Sequence, residues 1–296
     1  IMKKDITELY CFLDDFTKSC KEIIQSKQIT ANGKVNKPTR TPGLDDSEII
    51  AIILLFQQSP CKNFKYFYNS YLQLYKDEFP EMPSYERFIA LMPRVIPFMI
   101  ILLYCLLTPA SSSNIHFIDS TPLAVCDNKR ISRNKVFKGL AQIGKTTKGW
   151  FFGFKLHVII DKKGNLVRVK LTSGNTDDRS VVRQMTNNIF GFLFGDKGYI
   201  SKELFIELYN RGLKLVTGIK FNMKNILMHL HDKIMLRKRS LVETVFDYLK
   251  NKFAIEHTRH RSPTNAFIHI ISTLINYQLK PTKPHINNDY CLTSNP

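Results

Sequence analysis

Residues 150–171 read WFFGFKLHVIIDKKGNLVRVKL. Aromatic and β-branched side chains dominate residues 150–160 and recur in residues 166–171, which predicts two strands. The polar stretch 161–165 between them contains Gly164 and predicts a turn, so the whole segment is typical of a β-hairpin. Outside the hairpin, the pattern predicts strands at 115–119, 192–196 and 213–219 and helices at 178–190, 201–211, 238–253 and 263–279. Strands and helices in this order indicate an α/β fold with a mixed sheet.

Residues 1–110 have a mostly helical pattern. Helical spacing of apolar residues covers 4–27, residues 28–44 are predicted to be a linker, and helix starts are predicted at 45–47 and 83–87. The most apolar run, 95–107, is too short to span a bilayer and is interpreted as a buried helix. Two interpretations of the module stay open: a helix-turn-helix reader of DNA, or a packing module. We therefore predict three parts, namely a helical domain at 1–110, an α/β domain at 111–282 and a tail at 283–296.

The charge of the chain is strongly positive. It has 43 Lys and Arg against 25 Asp and Glu, and 30 of these basic but only 13 of these acidic residues lie in residues 111–296. A polyanion such as nucleic acid, or an anionic membrane surface, would explain such an excess. The six cysteines include no Cys-x-x-Cys pair, which argues against a disulfide framework and a Cys-rich zinc site and indicates a reducing cytoplasm.

Two carboxylates follow predicted buried strands. Asp119 comes after HFI and Asp196 comes after FLFG. Ligands of α/β sheets bind beside the carboxyl ends of strands, and an isolated buried carboxylate is costly, so we expect a cation there. Hard divalent ions such as Mg²⁺ prefer carboxylate oxygens.

A third candidate acid, Glu243, lies in the predicted helix 238–253. Arg239, Glu243, Asp247 and Lys250 share one face of that helix, opposite a face of apolar residues. The spacing alone also fits an exposed face with ordinary ion pairs between residues four apart. At this point both interpretations stay open.

Three short segments, in this order, resemble the DDE transposases of bacterial insertion sequences. They are FIDSTPL at 117–123, GDKGY at 195–199, and R-x3-E-x6-K, which is met by Arg239, Glu243 and Lys250. The segment GFKLHVIID at 153–161 is also similar to the second strand of that family. The resemblance is nearest to insertion sequence family 982 and covers at least residues 110–280.

The resemblance implies an RNase H-like catalytic domain in which Asp119, Asp196 and Glu243 hold two Mg²⁺ ions, with Mn²⁺ as an alternative. It implies metal-dependent cleavage of DNA at the element ends and transfer of the 3′-hydroxyl into target DNA. It also implies a dimer on DNA in the nucleoid of a bacterial cytoplasm, with no membrane partner. The alternative is a catalytically inactive DNA-binding protein derived from a transposase. Basic residues predicted to contact DNA are Arg239, Lys250, Lys197, Lys155, Lys145 and Lys148.

Other motifs have competing interpretations. Residues 139–146 match the P-loop pattern GxxxxGK[ST], but no strand is predicted before them and no helix after them. We therefore interpret residues 129–148 as a basic loop that faces DNA. His157 either approaches the metal site or is hydrogen-bonded in the core, and residues 177–178 are interpreted as a helix N-terminus. Trp150 either stacks on an unpaired base or packs in the core.

Overall fold

The computed structural model describes residues 3–30, 43–147, 149–224, 227–257 and 260–286, and only the backbone for 3–5 and 25–30. Most of the predicted linker 28–44 and of the predicted tail 283–296 lies outside the described residues. The contacts of the chain divide it into two compact units. One consists of Ile1–Leu106 with Ser262–Leu279, and the other of Leu107–Arg261 with Lys280–Pro296.

The first unit is built from helices. They are α1 (Lys3–Thr30), α2 (Asp46–Gln58), α3 (Phe64–Tyr66), α4 (Tyr85–Leu91), α5 (Ile96–Leu106) and, in chain order, α10 (Pro263–Leu279). Short π and 3₁₀ segments extend α3 and α4: Phe67–Tyr71, Leu72–Tyr75 and Met92–Val95.

Helix α2 is deeply buried, since residues 49–55 are all buried. Its predicted start is confirmed. Asp45 precedes the first turn, and its backbone N–H donates to the carboxylate of Glu48 at 2.7 Å. This contact belongs to a capping box, which satisfies backbone donors that the helix itself leaves unpaired.

Helix α10 packs in the first unit, whereas the sequence-based division placed it in the catalytic segment. Its Asn276 Nδ2 donates to Leu54 O at 3.2 Å, and Gln57 Nε2 donates to Ser272 Oγ at 3.3 Å, so both bonds join α10 to α2. A helical pattern of apolar residues shows that one face is buried but not against which partner. The partner is decided by contacts between residues that are distant in sequence.

Helix α5 is only partly buried, which differs from the buried helix predicted at 95–107. Met99 and Leu102 are buried, whereas Tyr104 is 75% exposed. Together with its flanking turns, the stretch Tyr85–Ser112 is long and apolar enough to cross a membrane. A single stretch of this kind is weak evidence for a membrane segment, because core helices of water-soluble proteins can share its length and composition.

The second unit contains a six-stranded mixed sheet. Its strands are β1 (Ile115–Cys126), β2 (Gln142–Thr146), β3 (Gly149–Asp161), β4 (Leu166–Ser173), β5 (Gly191–Gly195) and β6 (Leu213–Thr217). Its helices are α6 (Asp178–Met185), α7 (Lys202–Asn210), α8 (Leu230–Lys238) and α9 (Ser240–Asp247).

The topology of this sheet confirms the expected fold class. Strand β3 runs antiparallel to β1, β2 and β4, whereas β5 runs parallel to β1 and β6 parallel to β5. The order across the sheet is β2-β3-β1-β5-β6, with β4 also paired to β3. Consecutive antiparallel strands followed by parallel strands, with helices between them, form an RNase H-like mixed sheet.

The hairpin predicted at 150–171 is confirmed by β3 and β4. Two other strands differ from the prediction. Strand β1 continues past Asp119 to Cys126, because β3 pairs with it along its length and places Val158 opposite Asp119. Strand β2 lies inside the predicted basic loop 129–148. Its polar sequence has no apolar alternation, and pairing with β3 makes it a strand.

Two glycines permit close approach of backbones in this sheet. A Cβ atom at Gly153 would lie 2.0 Å from Leu123 O, and one at Gly144 would lie 2.2 Å from Gly174 O. Gly144, part of the P-loop match, is therefore explained by packing within the sheet. A strand at Gln142–Thr146 has no phosphate-binding loop geometry, so the rejection of the P-loop interpretation agrees with the fold.

Alternation along β1 directs neighbouring side chains to opposite faces of the sheet. Ile118 belongs to the buried cluster that contains Val182 of α6 and Leu208 of α7. Phe117 points to the other face, where its ring centroid lies 5.6 Å from that of Phe194. Asp119 shares the face of Phe117, away from α6 and α7.

Candidate active site

Asp119 and Asp196 lie at the same edge of the sheet, on two neighbouring parallel strands. Strands β1 and β5 pair in register as far as Phe117 opposite Phe194. Each acid comes two residues after that pair, Asp119 still within β1 and Asp196 directly after β5. The carboxyl ends of parallel strands are the usual ligand-binding edge of an α/β sheet. Asp196 has the strand-end position that the sequence predicted, whereas Asp119 lies within β1, which continues to Cys126.

Glu243 lies in the first turn of α9. Helical backbone extends from Leu230 to the π turn Tyr248–Lys252 and passes through Arg239, whose φ of −53° and ψ of −27° are helical. The predicted helix at 238–253 is thus part of a longer one. Its residues Leu241, Val242, Val245 and Phe246 are buried, whereas the side chain of Glu243 is 61% exposed.

The guanidinium of Arg239 brings the three acids together. Its Nη1 donates to Asp119 Oδ2 at 2.7 Å, and its Nη2 donates to Glu243 Oε1 at 3.2 Å. The same Nη2 lies 3.9 Å from Asp196 Oδ1. Carboxylates from a strand, a strand end and a helix therefore converge on one cation, although Asp119 and Arg239 are 120 residues apart.

Asp119 is the most buried of the three acids. Its side chain is 21% exposed, against 58% for Asp196. Desolvation is the main reason why the pKa of Asp119 rises from 3.8 to about 6, and the charges of Asp196 and Glu243 act in the same direction. The Ser120 N–H and Arg239 oppose this rise, because both favour the charged form. The Ser120 N–H donates to Asp119 Oδ1 at 2.8 Å, which holds the carboxylate in one orientation.

The raised pKa of Asp119 predicts a pH-dependent loss of stability in the metal-free protein. The folded state binds this proton more tightly than the unfolded chain, so the contribution is complete below pH 3.8 and is lost as the pH rises through about 6. The Asp119→Asn variant cannot ionise. Its unfolding free energy relative to the unmodified protein is expected to rise between about pH 4 and 7, by at most about 3 kcal/mol.

Urea unfolding in EDTA at both pH values measures this difference. Asp247→Asn serves as a matched control, because Asp247 lies on α9 and forms its hydrogen bond with Asn251, away from Arg239. A difference for Asp119→Asn that does not change with pH would contradict the raised pKa.

The donor set fits a hard divalent cation. Mg²⁺ and Mn²⁺ bind carboxylate oxygens, and three carboxylates here already surround a positive charge. Among the residues that the structure describes, no group of three or more His, Cys, Asp or Glu side chains is close enough to hold a metal as it stands. Arg239 lies between the acids, so metal binding requires its side chain to move.

Two of the other predicted basic residues have partners other than the three acids. Lys250 Nζ donates to Pro122 O at 2.9 Å and pairs with Glu256 at 2.9 Å. Lys155 Nζ donates to Thr176 O at 2.9 Å and pairs with Asp178 at 3.1 Å. Lys197, directly after Asp196, and Lys145, on β2, are exposed, and Lys148 lies outside the described residues.

His157 is a core histidine on the α6 side of the sheet. Its side chain is 1% exposed, and its Nε2 shares a hydrogen bond with Thr172 Oγ1 at 2.9 Å. Burial lowers its pKa to about 4. The interpretation of residues 177–178 is also confirmed, because Asp177 caps α6 by accepting from Arg179 N at 2.9 Å.

Tyr199 is a buried neighbour of the site that the sequence analysis did not single out, and it belongs to the same core cluster as Ile118. Burial raises the pKa of its hydroxyl well above the usual value, and the neighbouring charges of Asp119 and Asp178 raise it further. Its ring packs below Gly195, where an added Cβ would lie 3.1 Å from the ring. The signal was present in GDKGY, in which Gly195 and Tyr199 flank the acid.

Comparison with known proteins places these residues in one family. Residues 109–263, more than half of the 296-residue chain, match a family model described as a transposase DDE domain. No curated protein matches the chain.

Three solved structures match the chain at low identity, each with a TM-score below 0.5. One is piggyBac transposase in a synaptic complex with hairpin DNA, at 9% identity and TM-score 0.49, covering 86% of this chain and 70% of that one. Another is Mos1 transposase in a paired-end complex with the left transposon end, at 13% identity and TM-score 0.24, covering 88% and 86%. The third is the Mos1 strand transfer complex, at 14% identity and TM-score 0.22, covering 89% and 85%.

The family match spans all six strands and includes Asp119, Asp196 and Glu243. It covers the sheet, the converging carboxylates and the helix that carries Arg239. The chain therefore belongs to the family of transposases with a DDE domain.

Proposed function

We propose that this transposase cleaves DNA at the ends of a bacterial insertion sequence, nearest to family 982, and transfers the freed 3′-hydroxyl into target DNA. The observation that carries the proposal is the convergence of Asp119, Asp196 and Glu243 on the Arg239 guanidinium. Carboxylates gathered around one positive charge at the edge of an RNase H-like sheet are suited to metal-dependent phosphoryl transfer.

The three acids would hold two Mg²⁺ ions, with Mn²⁺ as an alternative. When bound, such ions activate water or a 3′-hydroxyl and stabilise the leaving oxygen. Asp119 provides a fixed ligand, because the Ser120 N–H and the pairing of β1 with β3 hold its position. Arg239 keeps the carboxylates neutralised until the ions bind, and its guanidinium is then free to contact a DNA phosphate.

The DNA surface is proposed to lie mainly on residues 111–296, which carry 30 of the 43 basic residues. Lys145 and Lys197 are exposed and suited to phosphate contacts, and Lys148 is proposed with them. Lys250 and Lys155 would reach DNA only after leaving their contacts with Glu256 and Asp178.

Three features of the assembly are proposed together with this activity. The helical N-terminal residues 1–110 bind the element ends, and residues 111–282 contribute the catalytic segment. The protein acts as a dimer on DNA, because transposition joins two ends. It works in the bacterial cytoplasm, on the nucleoid, without a membrane partner.

A nicking assay tests the proposed function. Purified protein is incubated with labelled duplexes from both ends of the element, in Mg²⁺, Mn²⁺ or EDTA. We expect end-specific nicks with either ion and none in EDTA, and joined products when target DNA is added. Binding without nicking in both ions would favour the alternative, an inactive DNA-binding protein. Absence of both binding and nicking would contradict the proposal.

A further inference from the structure

The β2–β3 hairpin has an outer face that the proposed chemistry does not use. Lys145 lies opposite Trp150 across the two strands, and alternation along β2 puts Ile143 on the same face. Trp150 is the only tryptophan of the chain, and it is 59% exposed, with Ile143 47% exposed. Trp150 therefore does not pack in the core, and that interpretation of the sequence was wrong.

A cation lies beside the indole. Lys145 Nζ lies 5.3 Å from its ring centroid, within the range of a cation–π interaction. Asn128 Nδ2 donates to Trp150 O at 2.8 Å and so joins the hairpin to a 3₁₀ helix, Asn128–Arg133. The exposed cations of that helix are Lys129, Arg130 and Arg133. From residue 128 to 150 the sequence has seven Lys or Arg and no Asp or Glu, so the complementary partner is a polyanion.

We propose that Trp150 is a stacking site for an unpaired nucleobase of the bound DNA. This inference rests on the proposed function, because it requires a DNA substrate. A base stacked on an aromatic ring contributes about 1–3 kcal/mol, and the flanking cations neutralise the neighbouring phosphates. A base inside a paired duplex has both faces covered by its neighbours. The ligand is therefore a nucleotide that has left the stack.

The stacking site lies apart from the three acids. Val158, which pairs with Asp119, is eight residues from Trp150 along β3. At about 3.3 Å per residue, the separation along the strand is roughly 26 Å. This distance is several times the rise of about 3.4 Å per nucleotide, so Trp150 and the acids contact different nucleotides. Trp150 thus binds DNA beside the reaction and takes no part in it.

Fluorescence of the single tryptophan tests the proposal directly. The protein is titrated with end duplexes of equal length, either fully paired or with one unpaired nucleotide placed at successive positions. Anisotropy of a labelled DNA strand measures binding in the same samples. We expect the unpaired nucleotide to quench Trp150 emission by more than about half at one position and the paired duplex to quench it much less.

Substitutions separate stacking from general DNA affinity. Trp150→Ala is expected to weaken binding of the duplex with the unpaired nucleotide by about 5- to 150-fold and to leave paired-duplex binding nearly unchanged. Trp150→Phe, which keeps an aromatic ring, should restore most of the loss. Tyr209→Ala is the matched control, because Tyr209 is an aromatic residue of α7 with 62% exposure outside the hairpin.

The measurements distinguish failure of the stacking site from failure of the proposed function. If the DNA binds by anisotropy but Trp150 emission is the same for every duplex, the stacking site is overturned and the proposed function stands. The same conclusion follows if Trp150→Ala weakens all duplexes equally. If no end DNA binds, the proposed function itself fails, and the stacking site fails with it.

Discussion

Replacement of Asp119, Asp196 or Glu243 by Ala is expected to reduce DNA cleavage by about 1,000-fold or more. Metal ions contribute several kcal/mol of charge stabilisation to a phosphoryl-transfer transition state, and about 4 kcal/mol corresponds to this factor. Each acid contacts or approaches the same guanidinium, so each is expected to bind the same pair of ions. The assay compares initial nicking rates of each variant on end DNA in Mg²⁺.

DNA affinity should change little in these variants, since phosphate contacts rather than metal ligands carry binding. Asp247→Ala is the matched control on the same helix and is expected to cleave within about twofold of the unmodified protein, because metal-ligand chemistry is not lost. Circular dichroism and urea unfolding check that the fold persists. A variant that retained near-normal cleavage would exclude its residue from the metal site.

DNA affinity is expected to fall about 10³- to 10⁵-fold between about 50 and 200 mM salt, as for proteins that make 6–10 phosphate contacts. The physical reason is counterion release by the basic residues concentrated in 111–296. Fluorescence anisotropy with end duplexes gives the slope of log K against log salt. Each phosphate contact contributes about −0.9 to that slope.

Variants that remove positive charge measure how much of the salt dependence comes from the 3₁₀ helix Asn128–Arg133. Combining Lys129→Gln, Arg130→Gln and Arg133→Gln should make the slope less steep by up to about 2.7, if each side chain neutralises one phosphate. Lys163→Gln, in the turn between β3 and β4, is the control and should leave the slope unchanged. A slope near zero for the unmodified protein would show that the basic excess does not serve DNA. Binding to anionic vesicles would then be the test of the membrane explanation.

Several parts of the second unit were predictable because local sequence determines them. The β3–β4 hairpin is a pair of apolar runs with a short turn, and such runs form strands in most surroundings. The apolar face of α9 was visible because its buried residues recur with helical spacing. The positions of Asp119 and Asp196 followed from the buried strands that precede them.

Pairing between segments that are distant in sequence determined two strands and the packing partner of one helix. Strand β2 is polar and exists because it pairs with β3, and β1 extends beyond Asp119 for the same reason. Helix α10 had a clear helical pattern, but its partner α2 lies more than 200 residues earlier. Local propensity contains no information about such partners.

The sequence by itself placed Asp119 and Asp196 after buried apolar segments, because strand patterns follow from local periodicity, and the resemblance of three short motifs to a known family pointed to Glu243. Only the tertiary structure decided that Arg239 lies among all three acids, that Lys250 and Lys155 pair with Glu256 and Asp178, and that Trp150 is exposed. A long charged or aromatic side chain has many rotamers, and its choice among partners depends on the groups that the fold brings within reach.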